Sequence, residues 1–166
     1  MKTNATLKLY LLLTTLFISF SACKDKDEAP MGSKAYQYMV NTGKYGAAYV
    51  GSHAMTIATE ITVEELPAGK SRIVVLLTNT TMGKTYQVNF YTAMEGSAAL
   101  FEQIPKYTVA VTGNGPLATA STIVSDSFDK ITTEWKGYAV VHDPGQTYSA
   151  TNFATFLIIG KMNMPE

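Results

Sequence analysis

The feature that most constrains the fold is an alternation of apolar and polar residues, in short segments separated by turn residues. In MTIATEITVEEL, Ile57, Ile61 and Val63 fall on one face of an extended chain, and Glu60 and Glu64 fall on the other. No segment keeps a convincing 3.6-residue repeat for more than about two helical turns. The alternation therefore predicts a half-buried strand here and an all-β protein.

Further segments with strand character follow at regular intervals. SRIVVLLTN, residues 71–79, is almost continuously apolar, which is typical of a central strand covered on both faces. In TYQVNFY, residues 85–91, every second residue is large and apolar. Residues 93–104 predict a crossover loop. The remaining strand segments are YTVAVT, LATASTIVS, GYAVVH and FATFLIIG, and SFDKITTEW continues the series.

Seven or eight strands at spacings of roughly 8 to 12 residues predict a Greek-key β-sandwich. The chain has 166 residues, of which 46% are apolar, so it is long enough for one domain with a sizeable core. We expect residues 34–166 to form that single domain.

The first thirty residues have the layout of an export signal. Two lysines precede the apolar run Leu9–Phe20, which spans only ~18 Å as a helix and is too short for a permanent membrane anchor. The pattern predicts a signal peptide over residues 1–22. FSAC resembles the lipobox of bacterial lipoproteins, in which the cysteine receives diacylglycerol and begins the mature protein. Cleavage after Ala22 without lipidation of Cys23 is the alternative.

A charged run follows the cysteine. It resembles the acid-rich export signal of surface lipoproteins of Bacteroidota, and a solvated tether is the alternative. Residues 23–33 are thus expected to be a lipidated cysteine and a flexible tether. These expectations place the protein on the outer membrane, lipid-anchored and facing the cell exterior. The residues of the expected export signal are Lys24, Asp25, Lys26, Asp27 and Glu28.

Charge and cysteine content exclude several classes of function. Thirteen basic and thirteen acidic side chains give a formal net charge of +0, and no basic stripe is present. A protein that tracks a phosphate backbone would carry such a stripe, so nucleic acid is excluded as a partner. A single cysteine excludes an internal disulfide and any site built from several thiolates.

The candidate chemical residues are few. His142 and Asp143 at a predicted strand end could begin a metal site, with His53 as a further ligand if the fold brings it close. The alternative is a hydrogen-bonded histidine beside a turn that Asp143 caps. No Gly-x-Ser-x-Gly elbow, Walker loop or dinucleotide fingerprint occurs, so the sequence predicts no catalytic residues.

The tyrosines suggest a second kind of site. The chain has ten tyrosines and one tryptophan, and exposed aromatic rings can stack on sugars. The alternative is that most of them pack in the core or on sheet surfaces, because tyrosine is a favoured strand residue.

Three motifs carry a resemblance to a known family. VVLLTNTTMGKTYQVNFYTA, then GYAVVHDP and FATFLIIG, resemble the chordin-like (CHRD) domain over about Ile57 to Gly160. The resemblance implies a β-sandwich similar in layout to immunoglobulin-like domains and Cu/Zn superoxide dismutase. It also implies that two former ligand histidines are replaced by Asn89 and Tyr91, on an outward-facing side, while His142 remains. Redox catalysis is therefore not expected.

Taken together, these features predict a non-enzymatic module at the cell surface, with a binding or structural role. Its partners would be the membrane, through the lipid anchor, and a glycan or protein ligand, with no cofactor. The alternative is an extracytoplasmic protein that binds copper or zinc through His142.

Overall fold

The computed structural model describes residues 31–165, so the expected lipidation site Cys23 and the charged run Lys24–Glu28 lie outside the described part. The described part is all-β, as the sequence predicts, with three short helical turns at Pro67–Gly69, Lys130–Glu134 and Phe153–Thr155. The eight strands are β1 Ser33–Met39, β2 Ala58–Leu66, β3 Lys70–Thr78, β4 Thr85–Thr92, β5 Tyr107–Thr112, β6 Leu117–Val124, β7 Gly137–His142 and β8 Phe156–Met162.

The strands form two antiparallel sheets that pack face to face. The first sheet has the order β1-β2-β3-β6, and the second has the order β5-β4-β7-β8. Strand β6 pairs with β3 and strand β7 pairs with β4, so both sheets contain neighbours that are not consecutive in the chain. These pairings give the predicted Greek-key β-sandwich.

Alternation along the strands positions the main core. On β2, Ile61 and Val63 point between the sheets and are fully buried. On β4, Tyr86, Val88 and Phe90 do the same from the second sheet. The predicted sharing of one buried face by alternate residues is confirmed for both strands.

Strand β3 differs from the prediction that both of its faces are covered. Ile73, Val75 and Leu77 are buried in the core, but Val74 and Leu76 on the other face stay half-exposed. Their partial exposure places the apolar side chains of this outer face at the surface.

Three segments have a secondary structure that the sequence pattern did not predict. Phe153–Thr155, the start of the expected strand FATFLIIG, is a helical turn. Strand β1 pairs in register with β2 from Ser33↔Glu64 to Met39↔Ala58, although its sequence has no β-branched residue. SFDKITTEW ends in the helical turn Lys130–Glu134 rather than a strand. The amide of Ile131 donates to the carbonyl of Ser127, and Ile131 is buried in the core.

Candidate functional site

The outer face of the second sheet carries a second apolar layer, separate from the main core. Every residue of β7 is buried, which means that this strand is covered on both faces. The buried members of the layer come from three strands and the loop after β4. They are Tyr91, Phe101, Tyr138, Val140, Phe156 and Ile159.

Phe101 lies at the centre of this aromatic layer. Its ring stacks on that of Tyr91, with ring centroids 4.7 Å apart and an interplanar angle of 17°. The rings of Tyr138 and Phe153 lie 5.5 and 5.9 Å from it. Only 4% of Phe101 is exposed, so it contributes mainly by burial of its apolar surface.

The loop that supplies Phe101 is tied back to the sheet by its own backbone. Ala93 and Phe101 form an isolated antiparallel bridge. The amide of Met94 donates to the carbonyl of Leu100 at 3.0 Å, and the amide of Glu102 donates to that of Thr92 at 2.9 Å. The predicted crossover loop is therefore held by hydrogen bonds against the outer face of the second sheet.

A cleft of about 410 Å³ lies at the edge of the aromatic layer. It is formed where the loop after β4 meets the loop between β7 and β8. None of its lining side chains carries a charge, and three of them are the small side chains of alanines. The lining residues are Tyr45, Ala98, Ala99, Leu100, Phe101, Gln103, Ala150, Thr151 and Phe153.

Beside the aromatic layer lies a network of polar side chains, of which Asn89, Tyr91 and His142 are buried. Nδ2 of Asn89 donates to the Tyr91 hydroxyl at 3.0 Å, and that hydroxyl lies 3.2 Å from Nε2 of His142 and 2.7 Å from the hydroxyl of Tyr148. The hydroxyl of Thr108 donates to Oδ1 of Asn89 at 2.8 Å. The network thus joins β4, β5, β7 and the loop after β7.

Burial sets the electrostatics of this network. His142 is 5% exposed, and burial lowers the pKa of its imidazole to about 4, so the ring is neutral at pH 7. Its Nδ1 is buried and has no hydrogen-bond partner among the described residues. Burial, followed by the hydrogen bond to Tyr148, raises the pKa of Tyr91, so its hydroxyl also stays neutral.

A second network lies at the end of the main core. The hydroxyl of Tyr49 donates to Oδ2 of Asp143 at 2.6 Å and accepts from the amide of His53 at 3.0 Å. Oδ1 of Asp143 accepts from the amide of Gly145 at 2.8 Å, which is the capped turn that the sequence suggested. Burial favours the neutral acid, but the hydrogen bonds from Tyr49, Gly145 and Gln146 outweigh it, and the pKa of Asp143 is lowered.

The structure does not bring His142, Asp143 and His53 together. Asp143 and His53 both contact Tyr49, whereas the imidazole of His142 belongs to the network around Tyr91. Within residues 31–165, no three or more His, Cys, Asp or Glu side chains lie close enough to hold a metal ion. The three candidate ligands therefore do not form one site.

The two positions implied as former ligands do lie beside His142. Asn89 and Tyr91 face away from the main core, as expected, but they are 4% and 0% exposed because the loops cover them. Their donor atoms do not fit copper or zinc. The amide nitrogen is committed to Tyr91, the phenol resists ionisation, and one imidazole is short of the three ligands that such sites need.

Sequence reasoning missed the cleft because its aromatic residues come from distant segments. Phe101 lies in a stretch without strand periodicity and Tyr45 precedes β2, while Phe153 was expected in the strand FATFLIIG but lies in a helical turn. The one available signal was the unbroken apolar character of GYAVV and FLII, which indicates strands covered on both faces.

No protein-family model, curated protein or solved structure matches this chain. The described part of the chain contains no helix with the length and apolar character needed to cross a membrane.

Proposed function

We propose that this chain is a lipid-anchored β-sandwich at the cell surface that acts as a non-enzymatic binding module. The observation that carries the proposal is the uncharged aromatic cleft bordered by Tyr45, Phe101 and Phe153 on the outer face of the second sheet. Ligand sites are typically concave, mostly apolar and lined by a few polar groups. Gln103 and Thr151 supply such groups here.

The chemistry of the cleft favours a neutral glycan as the ligand. None of its lining side chains is charged, and the ammonium groups of Lys44 and Lys161 lie at its border, 5.5 and 5.8 Å from the centre of the Tyr45 ring. Half-exposed aromatic rings present apolar faces on which the C–H faces of a sugar can stack. A polypeptide that places an apolar side chain in the cleft is the second candidate ligand.

The remaining geometry supports binding rather than catalysis. The buried imidazole of His142 has no carboxylate or nucleophile beside it in the described network, and its hydrogen-bond partner is a neutral phenol. A nucleophile requires an adjacent general base within hydrogen-bond reach. The His142 network supplies no such pair. In the Tyr49 network the phenol donates to the Asp143 carboxylate, but Tyr49 is 6% exposed and does not line the cleft.

The binding test compares two faces of the molecule. The full chain is run through gels that contain a soluble neutral polysaccharide, with α-glucan, β-glucan, mannan and xylan as probes, and is panned against a displayed peptide library. We expect one probe to retain the wild type, Tyr45→Ala to lose retention, and the control Met39→Ala, which is 74% exposed on the first sheet, to keep it. Retention by no probe in either arm, or retention unaffected by Tyr45→Ala, contradicts the proposal.

The anchoring part of the proposal has its own test. Cys23→Ser should abolish lipid attachment, measured as incorporation of a labelled fatty acid such as palmitate. Neutralising Asp25, Asp27 and Glu28 together should hide the domain from protease added outside intact cells. Labelling of the serine variant would contradict lipidation at Cys23, and unchanged protease access would contradict the export role of the charged run.

A further inference from the structure

The two lateral sides of the sandwich are bridged in different ways. On the side of β1 and β8, Val40 and Ile158 form a bridge, and the amide of Asn41 donates to the carbonyl of Leu157 at 2.8 Å. The hydroxyl of Tyr38 donates to the carbonyl of Lys161, and its ring lies so close to Gly160 that a Cβ there would overlap it. This side is therefore bridged by hydrogen bonds and side-chain packing.

The side of β5 and β6 has no isolated backbone bridge among the described residues, and its cross-sheet contacts lie at one end, where the hydroxyl of Tyr107 and the ammonium of Lys106 both reach Asp126. Strand β5 pairs only with β4, and strand β6 pairs only with β3. Three of the four inward residues of β6 stay partly exposed, whereas Ala118 and the inward residues of β3 are buried. The free edge of β6 pairs with no other strand of the described chain. The partly exposed inward residues are Ala120, Thr122 and Val124.

Strand β6 is a long and regular edge strand. It pairs with β3 over eight consecutive residues without a bulge, from Ser71↔Val124 to Thr78↔Leu117. In an antiparallel ladder, alternate residues direct their N–H and C=O groups away from the paired strand. About half of the backbone groups of β6 therefore point outward, where no backbone hydrogen bond from the described residues reaches them.

The side chains of β6 do nothing to block pairing at this edge. Its sequence LATASTIV contains no charge and no proline, the two features that most often protect an edge strand. Leu117 and Ile123, near its two ends, are 52% and 58% exposed. An uncharged, unbulged edge with exposed apolar residues is suited to adding another strand.

We propose that β6 pairs antiparallel with β6 of a second copy of this chain, joining the two first sheets into one eight-stranded sheet. Residues directly opposite must share a face. This condition is met when Ala120 lies opposite Ala120 of the second copy. Leu117 then faces Ile123 of the second copy, and Thr119 faces Ser121 of the second copy.

This register uses all of the exposed apolar residues of the strand. Both copies of Leu117 and Ile123 form cross-strand pairs on the outer face, and apolar pairs of this kind stabilise sheets. Shifting the two-fold axis to Ser121 would place Ile123 opposite Thr119 and leave Leu117 outside the paired region. Because β6 carries no charge, symmetric pairing brings no like charges together.

Disulfide trapping tests both the partner and the register. Thr119→Cys and Ser121→Cys chains, with different epitope tags, are expressed in the same cells as full-length protein and oxidised mildly in isolated envelopes. We expect a mixed disulfide between the two variants within the first minutes. Each variant alone should cross-link at least about tenfold more slowly, because its cysteines are then not directly opposite each other. A wild-type sample shows how much cross-linking comes from Cys23. Absence of the mixed disulfide, or equal rates for single and mixed samples, overturns the proposal.

Blocking the edge gives an independent test. In detergent micelles, we expect the full-length wild type to sediment as a dimer and Ser121→Lys to sediment as a monomer with an unchanged circular dichroism spectrum. The control Thr62→Lys, on the outer face of the central strand β2, should remain dimeric. A monomeric wild type, or a Ser121→Lys dimer, overturns the proposal, including the case in which β6 cross-links to a different protein.

Discussion

The outer faces of the two sheets have opposite properties, although both sheets have four antiparallel strands. On the second sheet, Tyr91 and Val140 face outward and are fully buried beneath aromatic loops. On the first sheet, Val74 and Leu76 face outward and stay half-exposed. The same alternation along the strands therefore produces one outer face buried under aromatic loops and one outer face that stays partly exposed.

The difference lies in the connections between strands. The link from β4 to β5 and the link from β7 to β8 are long, and each brings phenylalanine onto the second sheet, Phe101 from one and Phe153 from the other. Strands β2 and β3 are joined by the tight turn Pro67–Gly69, which has no aromatic side chain, and the long link between β1 and β2 packs Tyr45 on the second sheet instead. Long loops are where binding sites on β-sandwiches usually lie.

The largest expected effect comes from removing the centre of the aromatic layer. Phe101→Ala should lower the free energy of unfolding by about 3–5 kcal/mol, since it deletes a buried ring that contacts Tyr91, Tyr138 and Phe153. The matched change on the outer face of the first sheet, Leu76→Ala, should cost about 1 kcal/mol because that side chain is half-exposed. Urea denaturation measures both, and equal losses would remove the distinction between the faces.

The next effect separates the two tyrosines that share a hydrogen bond. Tyr91→Phe should destabilise the fold by about 2–3 kcal/mol, because it leaves Nδ2 of Asn89 and Nε2 of His142 buried without their partner. Tyr148→Phe should cost less than about 1 kcal/mol, because Tyr148 is 53% exposed and can exchange its bond for water. A larger loss for Tyr148→Phe would show that the loop, not the sheet, holds the network.

The buried imidazole predicts a pH dependence. In the unfolded chain a histidine has a pKa near 6.5, whereas in the fold the pKa of His142 is about 4. Between these values the unfolded state binds more protons, so stability rises with pH and is lost as the pH falls from about 6.5 towards 4. We expect a loss of about 2 kcal/mol between pH 7 and pH 5.

The control for this prediction is His142→Gln. Whatever its stability at pH 7, the free energy of unfolding of this variant should change little between pH 7 and pH 5. This pH range lies above the lowered pKa of Asp143. If the unfolding free energy of His142→Gln still falls between pH 7 and pH 5, the pH dependence comes from other groups.

The smallest expected effect lies on the outer face of the first sheet. Nη1 of Arg72 lies 3.3 Å from Oε2 of Glu64 on neighbouring strands, and both side chains are partly exposed. Ion pairs of this kind contribute roughly 0–1 kcal/mol, so Arg72→Ala should change the unfolding free energy by less than about 1 kcal/mol. A loss near that of Phe101→Ala would mean that the first sheet has a functional or structural contact on its outer face.

The alternation of side chains was enough to predict the sandwich and the inward face of β2 and β4, because burial of one face of a strand is a local pattern. It was not enough to predict which outer face is covered. The run SRIVVLLTN is as apolar as FATFLIIG, yet β3 stays partly exposed on one side and β8 is covered on both. Coverage depends on where the long loops pack, and that is a property of residues distant in sequence.

The candidate site shows the same limit at single residues. The prediction that Asn89 and Tyr91 face away from the main core was confirmed, since strand parity fixes it. Their burial was not predicted, because it depends on Phe101 and Tyr148 from two separate loops. The separation of His142 from Asp143 follows from the alternation of adjacent residues at a strand end, together with the register shift between Val141 and His142.

Amide hydrogen exchange of the full chain, with and without the polysaccharide or peptide that retains it, tests most directly which outer face binds. We expect slower exchange in residues 98–103 and 150–153 around the cleft, and unchanged exchange in β2 and β3. Slower exchange confined to β2, β3 and β6, with the cleft loops unchanged, would contradict binding at the cleft.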